Sequence, residues 1–150
     1  MSLEQDINQK NFRNELQKSV INLIYTYNWV TEKMKPFFDE VDITSQQFNI
    51  LRILRGAGKP ISTLQIRQRM LDKMSDTSRI VDRLVAKDLV KKTVCKEDKR
   101  LVDVSITDKG KKLLEKIDKI EPDMDALVSN ISEGEAKTLN SLLDKLRKSN

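Results

Sequence analysis

The sequence predicts a mainly α-helical fold with a single small β-hairpin. Apolar residues recur at intervals of three and four over most of the 150-residue chain, which is the spacing of amphipathic helices. Two of the predicted helices are short and are joined by a tight turn. Two runs of alternating apolar and polar residues then flank five consecutive charged residues, Lys96 to Arg100, and predict a hairpin with a charged tip.

The first predicted helix is long and ends at a proline. Its apolar face contains Phe12, Leu16, Val20, Leu23, Ile24, Tyr27, Val30 and Met34. We expect Pro36 to end this helix, because proline lacks the backbone N–H and clashes with the preceding turn.

Three further helices are predicted next from their capping residues. Thr44 and Gln47 have capping-box spacing, and Gly56, Gly58 and Pro60 stop the helix that follows. Ser62 and Gln65 repeat the box and open a helix running to about Leu71. After a turn over residues 72–74, Ser75 is the expected N-cap of the third helix, whose buried face is predicted to be Ile80, Val81, Leu84, Val85 and Leu89.

The hairpin and the last helices complete the order. The strands contain Val90, Lys92 and Val94 on one side and Val102, Val104 and Ile106 on the other. Thr107 is expected to cap a helix that Pro122 kinks or breaks, and Ser132 with Glu135 forms a further capping box before the last helix. Two short helices with a tight turn, followed by a charged hairpin, predict a winged helix-turn-helix.

The charge distribution favours a polyanionic partner. Residues 52–112 contain 17 Lys/Arg and 8 Asp/Glu, a formal charge of +9, whereas the rest of the chain carries −4. A basic middle segment is typical of nucleic-acid binding. An uneven solvated surface is the alternative interpretation.

The candidate DNA contacts lie at helix starts and at the wing tip. Arg100 is predicted to enter the minor groove, with Asp98 accepting a bidentate pair that aims its guanidinium, and Lys99 lies between them. The start of the second short helix offers hydroxyls and cations for bases or phosphates. The set of candidates is Ser62, Thr63, Ser75, Asp76, Thr77, Ser78, Arg79, Arg83, Asp98, Lys99 and Arg100.

Catalysis finds little support in the composition. The chain has no histidine, no Gly-rich phosphate loop and no cluster with metal-ligand spacing, so we expect no enzyme activity, cofactor or metal. The single cysteine, Cys95, is either a small packing residue or redox-sensitive. With no apolar run of membrane-spanning or signal-peptide length, a cytoplasmic location is expected.

The region "SDTSRIVDRLVAKDLVKKTVCKEDKRLVDVSITDKGKKLL" closely resembles the MarR family of winged-helix transcription regulators. It matches that family's recognition helix, its "xxLxxKGLV" exit, its Asp-x-Arg wing and its "Leu/Ile-Thr-x-x-Gly" helix start. Asp88 stands where the family usually has glycine, so we expect a less tightly turned exit.

The resemblance implies a single domain over residues 1–150 and a homodimer. Helices at about 10–35 and 107–147 would form the dimer interface, and residues of about 44–106 would form the DNA-binding lobe. The family's pseudo-palindromic operators and small lipophilic or phenolic effectors imply a repressor relieved by a ligand. Tyr25, Tyr27 and Trp29 are candidates for an effector pocket, with core and dimer packing as the alternative. A protein-interaction module and a non-specific architectural DNA binder remain the other hypotheses.

Overall fold

A computed structural model describes residues 2–148 and confirms the mainly helical fold with a small antiparallel sheet. The elements in chain order are α1 (Leu3–Asp6), α2 (Glu15–Glu40), α3 (Ser45–Ala57), β1 (Ile61–Ser62), α4 (Thr63–Arg69), α5 (Thr77–Ala86), β2 (Val90–Val94), β3 (Val102–Ile106), α6 (Asp108–Asp118), α7 (Glu121–Ala126) and α8 (Glu133–Arg147).

The sheet has three strands in the order β1-β3-β2. The predicted hairpin is confirmed, with Val90 opposite Ile106 and Val94 opposite Val102. The short strand β1 was not predicted, because two residues carry no alternating pattern. It exists only through its pairing with β3, in which Ile61 lies opposite Val104.

The core lies among α3, α4, α5, the sheet and α6. Its fully buried members include Ile50, Leu51, Ile66, Leu84, Val104, Leu114 and Ile117. We call residues 45–106, from α3 to β3, the winged lobe. The C-terminal part of α2 reaches this core through Phe38, whose ring lies 5.2 Å from that of Phe48.

The prediction that Pro36 ends the first helix is wrong. Helix α2 continues through Pro36 to Glu40. Phe38 is buried, and Met34 and Val41 pack against the core, so burial of this face holds the helix past a residue that disfavours it. Asn14 is the N-cap and accepts a hydrogen bond from the backbone N–H of Gln17, so Phe12 lies before the helix.

The predicted capping boxes at Thr44, Ser62 and Ser132 are all confirmed, as is the Thr107 cap. Gly58 ends α3 with a φ of 65°, a left-handed conformation suited to glycine, whereas Gly56 lies inside the helix. The break expected at Pro122 is also confirmed, since α6 ends at Asp118 and Pro122 lies in the first turn of α7.

The expectation of a less tightly turned exit at Asp88 is wrong. Asp88 adopts a φ of 57°, the left-handed conformation that glycine would take at the end of a helix. Aspartate tolerates this region better than most side chains. The carbonyl of Asp88 also accepts a hydrogen bond of 2.6 Å from the hydroxyl of Thr107, which ties the exit to the start of α6.

Within residues 2–148, no helix is long and apolar enough to span a bilayer. Over the same residues, acidic, cysteine and histidine side chains form no group of three suited to a metal ion.

Candidate nucleic-acid interface

Helix α5 is capped by Asp76, not by Ser75 as predicted. The carboxylate of Asp76 accepts a hydrogen bond of 3.1 Å from the backbone N–H of Arg79. An aspartate at the N-cap also complements the positive end of the helix dipole. This bond occupies the carboxylate, so Asp76 serves the helix start and its charge is partly offset where DNA would approach.

Thr77 cannot contact DNA in this structure, which corrects one predicted contact. It is only 4% exposed and lies on the core-facing side of α5 with Val81 and Leu84. Its hydroxyl has no hydrogen-bond partner among residues 2–148. The spacing in the sequence carried a signal for this, because Thr77 lies four residues before Val81 and seven before Leu84 on the predicted buried face.

The outer face of α5 presents Ser78, Arg79, Asp82 and Arg83 to solvent. Spacings of three and four residues place them side by side on one face. Neither arginine belongs to an ion pair within the described part of the chain. Both guanidinium groups are therefore available to bases or phosphates.

Asp82 is a functional candidate that sequence reasoning missed. Its carboxylate pairs with the ammonium of Lys92 on β2, ten residues further along the chain. The pair neutralises an acid on the outer face of α5 and joins this helix to the wing. Only the pairing of the hairpin brings Lys92 beside α5, so spacing in the sequence carried no signal for it.

Ser62 and Thr63 lie at the start of α4 and are half-buried. The Ser62 hydroxyl accepts a hydrogen bond of 3.2 Å from the backbone N–H of Gln65, whose side chain accepts one from the Ser62 N–H at 2.9 Å. Ser62 therefore caps α4, and contact of Ser62 and Thr63 with phosphate stays a prediction. The exposed Arg67 and Arg69 in the last turn of α4 are further cations that we did not predict.

The wing tip is a turn organised by Asp98. The backbone N–H of Leu101 donates to the Asp98 carbonyl at 2.9 Å, and the N–H of Cys95 donates to the Leu101 carbonyl at 2.9 Å. One carboxylate oxygen of Asp98 accepts the Arg100 backbone N–H at 3.0 Å. This local bond is how aspartate closes a turn that lacks glycine, asparagine and proline.

The predicted pair between Asp98 and Arg100 is present, but it is not bidentate. The same Asp98 oxygen also accepts the Arg100 Nε at 3.3 Å. The residues lie in a turn and not in an extended segment, so the carboxylate is shared between the backbone and the guanidinium. The Arg100 side chain is 91% exposed and projects into solvent. The contact between its Nε and Asp98 restricts the direction in which it projects.

The three aromatic candidates for an effector pocket lie apart from the cavity beside α3. That cavity has a volume of about 420 Å³, and its lining includes Leu54, Pro60, Ile106 and Lys111. Tyr25 is half-buried on α2, whereas Tyr27 and Trp29 are 67% and 36% exposed. Tyr25 and Trp29 share one face of α2, and Tyr27 lies on the opposite face.

Helices α4 and α5 with their tight turn, followed by the hairpin and its charged tip, define a winged helix-turn-helix protein. Known proteins are similar to this chain in sequence and structure. The MarR family model matches residues 41–101. The multiple antibiotic resistance protein MarR of Salmonella typhimurium is 29% identical over 128 residues, which are 83% of this chain and 88% of the relative.

Solved structures of E. coli MarR give the same result. A mutant of that protein complexed with operator DNA has a TM-score of 0.80 and 27% identity, covering 93% of this chain and all of that one. The apo form of the wild type has a TM-score of 0.66 and 28% identity, covering 85% of this chain and 95% of that one. The chain is thus similar to MarR transcription regulators, in sequence over residues 41–101 and in structure over most of its length.

Proposed function

We propose that the chain is a homodimeric repressor that binds a pseudo-palindromic operator in double-stranded DNA and is released by a small effector. The observation that carries the proposal is the joint presentation of Arg79 and Arg83 on α5 and Arg100 on the wing, within a segment of charge +9. Such a helix fits the major groove, and such a wing fits the minor groove beside it.

Three acidic residues of α5 and the wing support the proposal, because their carboxylates are engaged within the protein. Asp76 caps α5, Asp82 pairs with Lys92, and Asp98 braces Arg100. Carboxylates left free here would repel phosphate. With these acids paired, the cations dominate the face that DNA would meet.

Exposed apolar rows on the terminal helices support a homodimer. Leu16, Val20, Leu23, Ile24 and Tyr27 are exposed on α2, and Leu139, Leu142 and Leu146 are exposed on α8. Contiguous apolar surface of this kind normally marks a protein interface. A second copy of the chain is the proposed occupant, because a two-fold dimer would present two wings to the two halves of a palindrome.

The operator complex of E. coli MarR supports DNA as the partner. The structural match to that complex covers 93% of this chain with a TM-score of 0.80. The match to the apo form covers 85% with a TM-score of 0.66. A repressor of this kind would act in the cytoplasm, where it meets its operator.

The effector is proposed to be a small lipophilic or phenolic molecule near Tyr25 and Trp29, which share one face of α2, whereas Tyr27 on the opposite face belongs to the exposed apolar row. Trp29 is the chain's single tryptophan, so its fluorescence reports directly on this helix. Titration of an effector candidate should change the Trp29 emission and weaken operator binding over the same concentration range. A release of DNA without any change at Trp29 would place the effector elsewhere.

Selection of bound duplexes from a random DNA pool tests the proposal first. We expect an enriched pseudo-palindrome with half-sites about one helical turn apart. Binding without enrichment would favour a non-specific architectural protein. Absence of binding at moderate salt, in the purified effector-free protein, would favour a protein-interaction module.

Arg100→Ala should weaken binding to the selected operator about tenfold, because one minor-groove arginine is worth about 1–3 kcal/mol. Fluorescence anisotropy measures the affinity, and the slope of log affinity against log salt should fall by about 1. Arg13→Ala removes the same charge from an exposed site outside the winged lobe and serves as the control. Equal effects of the two variants would reject the wing contact.

A further inference from the structure

Two arginines of α3 contact the interruption between α6, which packs on the winged lobe, and α7. Helix α6 ends at Asp118 and α7 begins at Glu121, leaving a two-residue interruption. The guanidinium of Arg55 donates to both carboxylate oxygens of Asp118, at 2.7 and 3.0 Å. Arg52 lies 3.7 Å from the carboxylate of Glu121. One arginine therefore engages each side of the interruption.

The Arg55–Asp118 contact has a more favourable geometry and is less exposed to solvent than an ordinary surface ion pair. It is bidentate, it joins residues 63 positions apart, and the two side chains are only 38% and 41% exposed. The shared hydrogen bonds raise the pKa of Arg55 and lower the pKa of Asp118. Bidentate geometry within a charge network is the case in which an exposed pair has a measurable effect.

Arg52 connects the same point to helix α2. Its guanidinium lies 5.6 Å from the centre of the Phe48 ring, a cation–π distance. Phe48 in turn packs against Phe38 of α2. The face of α3 that carries Phe48, Arg52 and Arg55 thus contacts both α2 and the α6–α7 interruption, and α3 also packs against α5.

The interruption separates the DNA-facing helix from half of the exposed apolar surface. The exposed residues Val128, Ile131 and the leucine row of α8 all follow it in the chain. A change of angle there would move that surface relative to α5. A rotation of about 6° over an arm of about 30 Å displaces its end by about 3 Å, close to the DNA rise of about 3.4 Å per base pair.

We propose that Arg52 and Arg55 are positioning residues that set the angle between the winged lobe and the dimer surface. In a dimer this angle fixes the distance between the two α5 helices, and so it selects the half-site spacing that binds best. The inference rests on the proposed homodimeric DNA binding. It adds residues that determine specificity without touching DNA.

A spacing series tests the inference with the full-length protein. The selected operator is varied by inserting or deleting one base pair between its half-sites, and affinities are measured by anisotropy. Wild type should bind the selected spacing more tightly than the altered ones, and we call the ratio of these affinities the spacing preference. Asp118→Asn should reduce this ratio about threefold to tenfold. The double variant Arg55→Asp/Asp118→Arg should restore it, because the pair is remade with its charges exchanged.

The matched control is Asp39→Asn, which removes an acid paired with Lys35 within one helix and should leave the spacing preference unchanged. An unchanged preference in Asp118→Asn would overturn the inference while the operator binding of wild type still stood. If Asp118→Asn does not fold, Glu121→Gln gives the same readout across the interruption, and an unchanged preference there overturns it equally. Loss of affinity at every spacing by one common factor would show a merely structural role.

Discussion

At the scale of single residues, Gly110 explains the Thr-x-x-Gly motif in physical terms. A Cβ at position 110 would lie 2.3 Å from the Leu89 carbonyl oxygen and 2.7 Å from Cγ1 of Ile106. The backbone N–H of Gly110 also donates to the Thr107 hydroxyl oxygen at 3.1 Å. Thr107 and Gly110 together allow the start of α6 to pack closely against Asp88 and Leu89, which follow α5. Any side chain at position 110 would push the start of α6 away from Leu89.

Gly110→Ala should lower the free energy of unfolding by about 1–3 kcal/mol, because the added methyl overpacks a site closed by backbone. Urea denaturation at a fixed protein concentration measures the change. Gly134→Ala is the control, since a Cβ there meets no atom within 4 Å, and it should be neutral or stabilising by up to about 1 kcal/mol. Equal stabilities of the two variants would contradict the packing argument.

At the scale of elements, α2 shows that packing of one end can hold a helix through proline. Pro36 lies inside the helix, near the end anchored by Phe38. The N-terminal part of the same helix is anchored by α1, where Glu4 pairs with Lys18 and Leu3 is buried. Both contacts join segments that no local pattern relates.

Pro36→Ala should stabilise the protein by up to about 3 kcal/mol, because alanine restores a backbone donor and removes the ring clash. Thermal and urea unfolding measure the gain. Lys33→Ala, at an exposed position of the same helix, should change stability by less than about 0.5 kcal/mol. A loss of stability in Pro36→Ala would mean that α2 requires a bend at this position.

The α1–α2 contact should depend on pH. The hydrogen bond from Lys18 lowers the pKa of Glu4 to about 2. Because this pKa is depressed in the folded state, the contact contributes fully above the ordinary glutamate pKa of about 4.3 and is lost as pH falls through about 2. An NMR titration of the Glu4 carboxyl carbon should give a midpoint near 2 in wild type.

Lys18→Met should return the Glu4 midpoint towards the ordinary value, because it removes the main cause of the shift. A wild-type midpoint already near 4 would show that the pair does not persist in solution.

At the scale of the whole molecule, the chain leaves apolar rows on α2 and α8 uncovered, as one half of a dimer would. Leu142→Asp should raise the dimer dissociation constant at least thirtyfold, the effect of losing about 2 kcal/mol at an interface centre. Analytical ultracentrifugation measures the constant. Leu71→Asp is the control, since Leu71 is 87% exposed but lies in the turn between α4 and α5. An unchanged dimer in Leu142→Asp would place the interface elsewhere.

Local contacts explain which features were predicted correctly. The boxes at Thr44, Ser62 and Ser132 are bonds between residues three positions apart, so their spacing alone specifies them. The hairpin follows from its alternating strands, and the pairing of Asp98 with Arg100 spans only two residues. For these features the side chain and its partner lie within one turn of chain or within one hairpin.

The sequence by itself thus determined the order of the main helices and the hairpin, the caps at Thr44, Ser62, Thr107 and Ser132, and the charged wing of a winged-helix protein. Tertiary structure alone decided that α2 passes Pro36, that β1 pairs with β3 and that Asp82 meets Lys92. The physical reason is the distance of the partner along the chain. A cap or turn is closed by neighbours, whereas burial and cross-element ion pairs depend on residues that only folding brings together.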